Sequence, residues 1–281
     1  MPIAPIYLAA GLLAVSLLDD RSNLPVAWRL AAHAASAICL VLVWRASTAN
    51  SATPPVETFS WLATWWGAGL TIIAICWSTN LFNFMDGADG LAGGMTLIGF
   101  GAYAIASSSS STVGTDLATL TTAISGAALG FLLFNLPPAK VFMGDAGAVP
   151  IGFLAAALGV EGYLRGVWPL GFGVLVFSPF IVDATVTLLR RLARGEKIWM
   201  AHREHYYQRL ILSGFSHRQT VFSYYVLMLG SALSALIAQK HSLLYPIASF
   251  WVITYLSLLM YLEWRFYQQK KHKTEKNSEA K

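Results

Sequence analysis

The residues most able to do chemistry come in three short stretches. They are Asp19 and Asp20 in LLDDRSNLP, Asp86 and Asp89 in FNFMDGADGLAGG, and Asp145 in VFMGDAGAVP. Adjacent carboxylates raise each other's cost unless a cation or a hydrogen-bond donor stands between them. In the second stretch Asn80, Asn83, Asp86 and Asp89 recur every three residues, a spacing that brings side chains to one side of a helix or tight turn. Hard oxygen donors of this kind suit Mg²⁺ or Mn²⁺ better than zinc. The neighbouring glycines let backbone approach a ligand closely. Any one of these acids is also explained by water at the end of an apolar run; their clustering is the stronger signal.

The opposite charge lies further on, in RRLARGEKIWMAHREHYYQRL. His202 and His205 are three apart and Arg209 follows by four, so one helical face can present all three. Arginine recognises phosphate through paired donors, and histidine can donate to it or carry a proton. Arg190, Arg191 and Arg194 are accounted for by topology alone. Asp183 is expected either to pair with Arg190 or Arg191 or to support the site. His33, inside an apolar run, reads as a packed polar group.

The elements that must position these groups are membrane helices. The chain has 281 residues, 56% hydrophobic and 12% charged, with a mean hydropathy of +0.56. Soluble domains carry about 25% charged residues. Runs of about 20 apolar residues, the length of a spanning helix, predict an all-α polytopic membrane protein. Nine transmembrane helices are expected, near 3–18, 29–45, 61–79, 92–108, 116–136, 148–160, 168–189, 219–238 and 244–264. Residues 1–266 form the membrane domain and 267–281 a basic, disordered tail. Cys39 and Cys76 lie in apolar runs, which excludes a disulfide framework or zinc spacing and suggests small buried hydrophobes. The first run lacks a basic n-region and a cleavage site, so it is a span and not a signal peptide.

Charge sets the orientation. Arg21, Arg29 and Lys140, the bases from Arg190 to Arg218 and those from Arg265 to Lys281 fall on one side; only Arg45, Arg165 and Lys240 fall on the other. Basic loops stay in the cytoplasm, so the N-terminus is expected in the periplasm and the C-terminus in the cytoplasm. The same bias accounts for the net charge of +5 without nucleic acid. All the acids above then fall at the cytoplasmic boundary. Two loops, 49–58 and 107–114, are expected on the outer side. Trp61, Trp65 and Trp66 there, and Trp199 inside, read as interfacial anchors. Pro169, Pro179 and Pro246 kink helices or mark their starts.

Taken in order, LLDDRSNLP, NLFNFMDGADGLAGG, VFMGDAGAVPIGF, SPFIVDATVTLLRRLARG and HREHYYQRL resemble the polyprenyl-phosphate N-acetylhexosamine-1-phosphate transferases, of glycosyltransferase family 4 type. The resemblance runs from about residue 10 to 240 and is nearest the branch that starts O-antigen chains. It implies a phosphotransferase of the bacterial inner membrane with its site facing the cytoplasm. The phosphate of undecaprenyl phosphate attacks the β-phosphorus of a UDP-N-acetylhexosamine, of GlcNAc, FucNAc or QuiNAc type, and UMP leaves. By this resemblance Mg²⁺ (or Mn²⁺) is held by Asn83 and Asp145, and Phe142 stacks on uracil. Asp86 and Asp89 line the nucleotide site, with Asn80 beside them. Asp19 and Asp20 handle the lipid phosphate, and His202, His205 and Arg209 contact phosphate or sugar. Asp19, Asp20, Asp89 and Asp145 are the expected catalytic acids. Asp19 is hardly required as a base, because a lipid phosphate is already largely ionised at neutral pH. A homodimer is an allowed assembly.

Two departures and two rivals accompany the resemblance. Relatives usually begin with two further helices joined by a basic loop that touches substrate, and this chain starts at what looks like their third. A late-called start or an inactive truncated form is the alternative expectation. HREHYYQRL also replaces a denser histidine loop. A membrane prenyltransferase would require paired D-x-x-x-D clusters, and an ion-coupled transporter would place its acids near the midplane.

Overall fold

The computed structural model describes residues 3–22, 24–49, 60–108, 114–197, 200 and 202–279. These form twelve helices in chain order: α1 (Ile3–Ser22), α2 (Val26–Ala49), α3 (Ser60–Ala63), α4 (Trp65–Met85), α5 (Leu91–Ser108) and α6 (Thr115–Asn135). They continue with α7 (Gly144–Leu164), α8 (Phe172–Val176), α9 (Ser178–Ala193), α10 (Tyr206–Leu212), α11 (His217–His241) and α12 (Leu244–Glu279). Among the described residues eight helices are long and apolar enough to cross a membrane. Most of the loops expected at 49–58 and 107–114, and Trp199, lie outside the described residues.

Seven of the nine expected runs are each a single helix; the run at 61–79 is divided at Thr64, which caps α4 by accepting the Gly67 N–H at 3.1 Å after the short α3. The run at 168–189 is divided into α8 and α9, for a local reason. Pro179 has no N–H to offer the Leu175 carbonyl and would interrupt the i→i−4 ladder. The Ser178 hydroxyl donates to that carbonyl instead, at 2.7 Å. At lipid depth an orphaned carbonyl costs several kcal/mol, so a break needs such a substitute donor. Pro179 opens α9 and Pro246 lies in the first turn of α12. α12 runs as helix across residue 267, where the sequence pattern ends the membrane domain.

Helix α7 packs on α1 and α4, while α5 packs on α6 and α11. One core joins α1, α2, α4 and α7 through Leu12, Leu40, Ile75 and Phe153. A second joins α4, α5, α8, α9 and α11 through Phe82, Phe100, Phe172, Phe180 and Met228. Because lipid is as apolar as leucine, such contacts hold by close packing and interhelical hydrogen bonds. Gly152 illustrates it: a Cβ there would stand 2.5 Å from the Ser78 carbonyl, and the Ser78 hydroxyl donates to the Gly152 carbonyl at 2.7 Å. Large apolar side chains such as Leu42, Ile73, Leu133 and Val252 point outward, where a membrane is their solvent. Both cysteines are free, Cys39 exposed and Cys76 half-buried. His33 is buried, and its Nδ1 has no hydrogen-bond partner among the described residues.

The helix ends sort by chemistry. At one end, Trp44 Nε1 donates to Glu161 at 2.5 Å and Arg165 pairs with the same carboxylate at 2.6 Å. At the other end α1 finishes, α2 begins, α4 finishes and α7 begins. The acidic motifs meet there.

Candidate active site

Arg29, in the first turn of α2, organises the first part of the site. Its Nη2 contacts Asp145 Oδ2 at 2.7 Å and its Nε contacts Asp19 Oδ2 at 3.2 Å. Asp19 is only 7% exposed, and its other oxygen accepts the Leu24 N–H at 2.7 Å, which closes the turn between α1 and α2. A nearly buried carboxylate is tolerable with this pairing and costly without it. Asp20, one residue on, is exposed. Of the adjacent pair, the fold turns one acid inward and leaves the other in solvent.

Asp86 ends α4, its N–H donating to the Asn83 carbonyl. Its carboxylate accepts the Gly144 N–H at 3.0 Å. Gly144 has φ +61, a left-handed conformation that favours glycine. The Asp86 carboxyl is pushed up to about 7, first by burial and also by the charge of Asp145, against the opposing Gly144 hydrogen bond. Asp86, Asp145 and the Arg29 bridge to Asp19 therefore form one electrostatic unit.

Asp89 shapes the adjoining loop. Its carboxylate accepts the Ala139 N–H at 3.0 Å. Asn135, buried at the end of α6, accepts the Gly90 N–H at 2.9 Å and donates to the Val141 carbonyl at 2.7 Å. Together they lock residues 136–141 beside the glycine-rich turn. Phe142 emerges from this loop with 72% of its surface exposed, an open aromatic face three residues before Asp145 in the chain. Asn80 instead turns its amide back on α4, donating to the Cys76 carbonyl at 2.8 Å.

The basic segment approaches from α10. Tyr207 reaches across to donate to the Phe84 carbonyl at 3.1 Å, and Gln208 donates to the Tyr207 hydroxyl at 3.0 Å. His205 is 2% exposed, stacked between Phe84 and Tyr207. His202 is half-buried, its ring centroid 4.8 Å from that of His205. Burial, then the neighbouring His205 and Arg191, lower its pKa to about 4. His202 is therefore neutral at neutral pH. Arg209 is turned away from the acids. It makes a two-pronged pair with Glu263 of α12, at 2.5 and 3.1 Å, and lies over the Phe266 ring. Arg190 and the Tyr206 hydroxyl converge on the same carboxylate.

The fold thus brings Asp19, Asp86 and Asp145 together, with Asp89 on the turn that carries Asp86, Phe142 on the loop that Asp89 holds and His205 stacked on the Phe84 ring. Asp183 pairs with neither Arg190 nor Arg191; those go to Glu263 and Glu196. Arg29, Asn135, Tyr207 and Glu263 were not singled out from sequence as site residues. Arg29 was visible only as one base among those that orient the chain. The short turn returning α2 beside α1 was the signal that it could face Asp19.

Among the described residues no three His, Cys, Asp or Glu side chains gather as an all-protein metal cage. Mg²⁺ commonly binds through one or two carboxylates plus substrate phosphates and water. The oxygen donors here, two carboxylates close enough to perturb one another and the Asn83 amide on the same turn, fit that kind of site.

An all-α bundle with eight spanning-length helices among the described residues and a carboxylate-rich end defines a polytopic membrane protein. Residues 3–163 match the model of glycosyl transferase family 4, and the chain belongs to that family. A probable undecaprenyl-phosphate N-acetylglucosaminyl 1-phosphate transferase of Bacillus subtilis (strain 168) is 30% identical over 178 residues, 63% of this chain and 49% of the relative. An undecaprenyl-phosphate alpha-N-acetylglucosaminyl 1-phosphate transferase of Yersinia pestis is 30% identical over 274 residues, 93% of this chain and 72% of the relative. A phospho-N-acetylmuramoyl-pentapeptide-transferase of Shouchella clausii (strain KSM-K16) is 33% identical over 172 residues, 61% and 51% respectively. The chain spans about half the length of the first and third of these relatives.

Proposed function

We propose that this chain transfers an N-acetylhexosamine 1-phosphate from a UDP-sugar to undecaprenyl phosphate at the cytoplasmic face of a bacterial inner membrane. The product primes a cell-envelope polysaccharide of the O-antigen kind. The observation that carries this reading is the convergence of Asp19, Asp86 and Asp145 around Arg29 and Gly144 at one end of the bundle. Acids gathered at one end also favour a surface transferase over a transporter, whose ion site would lie near the midplane.

In the proposed reaction an oxygen of the lipid phosphate forms a bond to the β-phosphorus of the UDP-sugar. The bond from that phosphorus to the bridging oxygen breaks, and its electron pair leaves with UMP. Little covalent work falls to the protein in phosphoryl transfer, so positioning and charge neutralisation dominate. Arg29 offers the guanidinium closest to the acids, where an incoming phosphate can share it with Asp19 and Asp145. Phe142 supplies an exposed ring for the uracil. Asp145, with Asn83 and Asp86, would hold Mg²⁺, which neutralises diphosphate charge when bound. His202, being neutral, can accept or donate one hydrogen bond to phosphate or sugar. Arg209, clamped by Glu263, acts by holding α10 in place.

The test uses membranes containing this chain, undecaprenyl phosphate and labelled UDP-N-acetyl sugars. UDP-GlcNAc comes first, because the names of two relatives carry N-acetylglucosaminyl. Mg²⁺-dependent labelling of lipid, lost in Asp145→Ala and Asn83→Ala, is the expected result. No labelling with any UDP-N-acetyl sugar would sink the reading.

A further inference from the structure

Asp183 is 3% exposed, yet it stands apart from the acids described above. Its Oδ1 accepts the Tyr206 N–H at 2.8 Å and the Thr187 hydroxyl at 3.3 Å, and faces His205 Nδ1 at 3.4 Å. Its Oδ2 accepts the Tyr207 N–H at 3.1 Å and the Tyr224 hydroxyl. One carboxylate therefore joins α9, α10 and α11. Helix α10 has seven residues, too few to be stable by its own hydrogen bonds. Its position is set by what holds its first turn, and Asp183 takes two of that turn's backbone N–H groups.

Beyond that turn lies the acidic site. The Tyr207 hydroxyl bonds to the Phe84 carbonyl, one residue from Asn83 and two from Asp86. The fit is close: a Cβ on Gly87 would stand 2.0 Å from the Tyr207 oxygen. The line of contact runs from Asp183 through the start of α10 and the Tyr207 ring to the turn that carries Asn83 and Asp86. We propose that Asp183 is a positioning residue of the active site, holding the basic segment in register against that turn. This rests on the transferase reading above. An asparagine could not replace it, because one amide oxygen cannot serve donors that approach two separate carboxylate oxygens.

The experiment compares Asp183→Asn, Tyr207→Phe and the double variant, each as the monodisperse detergent-solubilised fraction. Displacement of a site by about 1 Å can cost about a hundredfold in rate. Asp183→Asn is expected to lower kcat/KM for the UDP-sugar on that scale per folded molecule while leaving KM for undecaprenyl phosphate unchanged. Tyr207→Phe should lower the same parameter, and the double variant should be no worse than Asp183→Asn, because both act through one linkage. A second readout needs no activity: tryptic cleavage after the exposed Arg203 should accelerate severalfold in Asp183→Asn. Wild-type kinetics per folded molecule, simple addition of the two single effects, or an unchanged cleavage rate would each overturn the proposal. If the wild-type chain labels no lipid, the functional reading fails on its own, and the proteolysis comparison still decides whether Asp183 holds α10.

Discussion

Arg29 and Asp145, 116 residues apart in sequence, meet at 2.7 Å. The contact makes a base counted for topology the electrostatic centre of the acidic end. Replacing Arg29 with alanine leaves Asp19 nearly buried beside Asp145 without its cation. Removing one partner of such a pair destabilises by roughly 3–5 kcal/mol when fully buried, and by less here, where Arg29 is one-third exposed. Arg29→Ala is expected to lower the melting temperature and abolish lipid labelling. Arg29→Lys should recover part of the stability but little of the labelling, since a lysine cannot address two carboxylates through a planar fork. Labelling by Arg29→Ala at the wild-type rate would contradict this account.

Asp86 makes a pH prediction. Its carboxyl is held near 7 in the folded chain, against about 3.9 for a free aspartate. Between these values the native state binds more protons than the unfolded state, so stability falls as pH rises through that window and levels off above 7. Each tenfold change in proton affinity is worth about 1.4 kcal/mol. Thermal unfolding followed from pH 5 to pH 8 should show a declining melting temperature for the wild type and a shallower decline for Asp86→Asn. Equal slopes would argue against a buried, proton-holding Asp86.

Gly87 allows a suppressor experiment. Gly87→Ala should push the Tyr207 ring aside and destabilise by about 1–3 kcal/mol, the usual scale of overpacking. Adding Tyr207→Phe removes the clashing oxygen and leaves the ring carbon at 3.1 Å. The double variant should then melt above Gly87→Ala alone. A further drop in melting temperature would refute the contact.

Phe142 separates binding from folding. Its exposed ring makes Phe142→Ala nearly neutral for stability, within about 0.5 kcal/mol. Under the proposed stacking role the variant should raise KM for the UDP-sugar and leave KM for undecaprenyl phosphate unchanged. Steady-state kinetics on both substrates check it, and an unaltered donor KM would remove Phe142 from the site.

Glu263 is the common partner of Arg190, Arg209 and Tyr206. Glu263→Ala should lower the melting temperature, and adding Arg209→Ala should cost less than the sum of the two single losses, as expected for groups that touch. Additive losses in a double-mutant cycle would show that the pair is not coupled.

Much was legible in the residues alone. Apolar runs near twenty residues long define eight of the helices, because in lipid a backbone must satisfy itself within each segment. The acidic motifs could be recognised because carboxylates and glycines at the ends of such runs are out of place. The break between α8 and α9 depended on one proline and one serine hydroxyl, too local for a window of hydropathy to register. What the fold alone decided was partnership. Asp19 and Asp20 are adjacent and chemically identical, yet only Asp19 turns inward to Arg29. His205 and Arg209 share a motif, yet one is stacked under Phe84 while the other is held by Glu263. Residue type and spacing say which groups can reach a phosphate. Which of them face it depends on helices far apart in the chain, whose close packing leaves each side chain few directions to point.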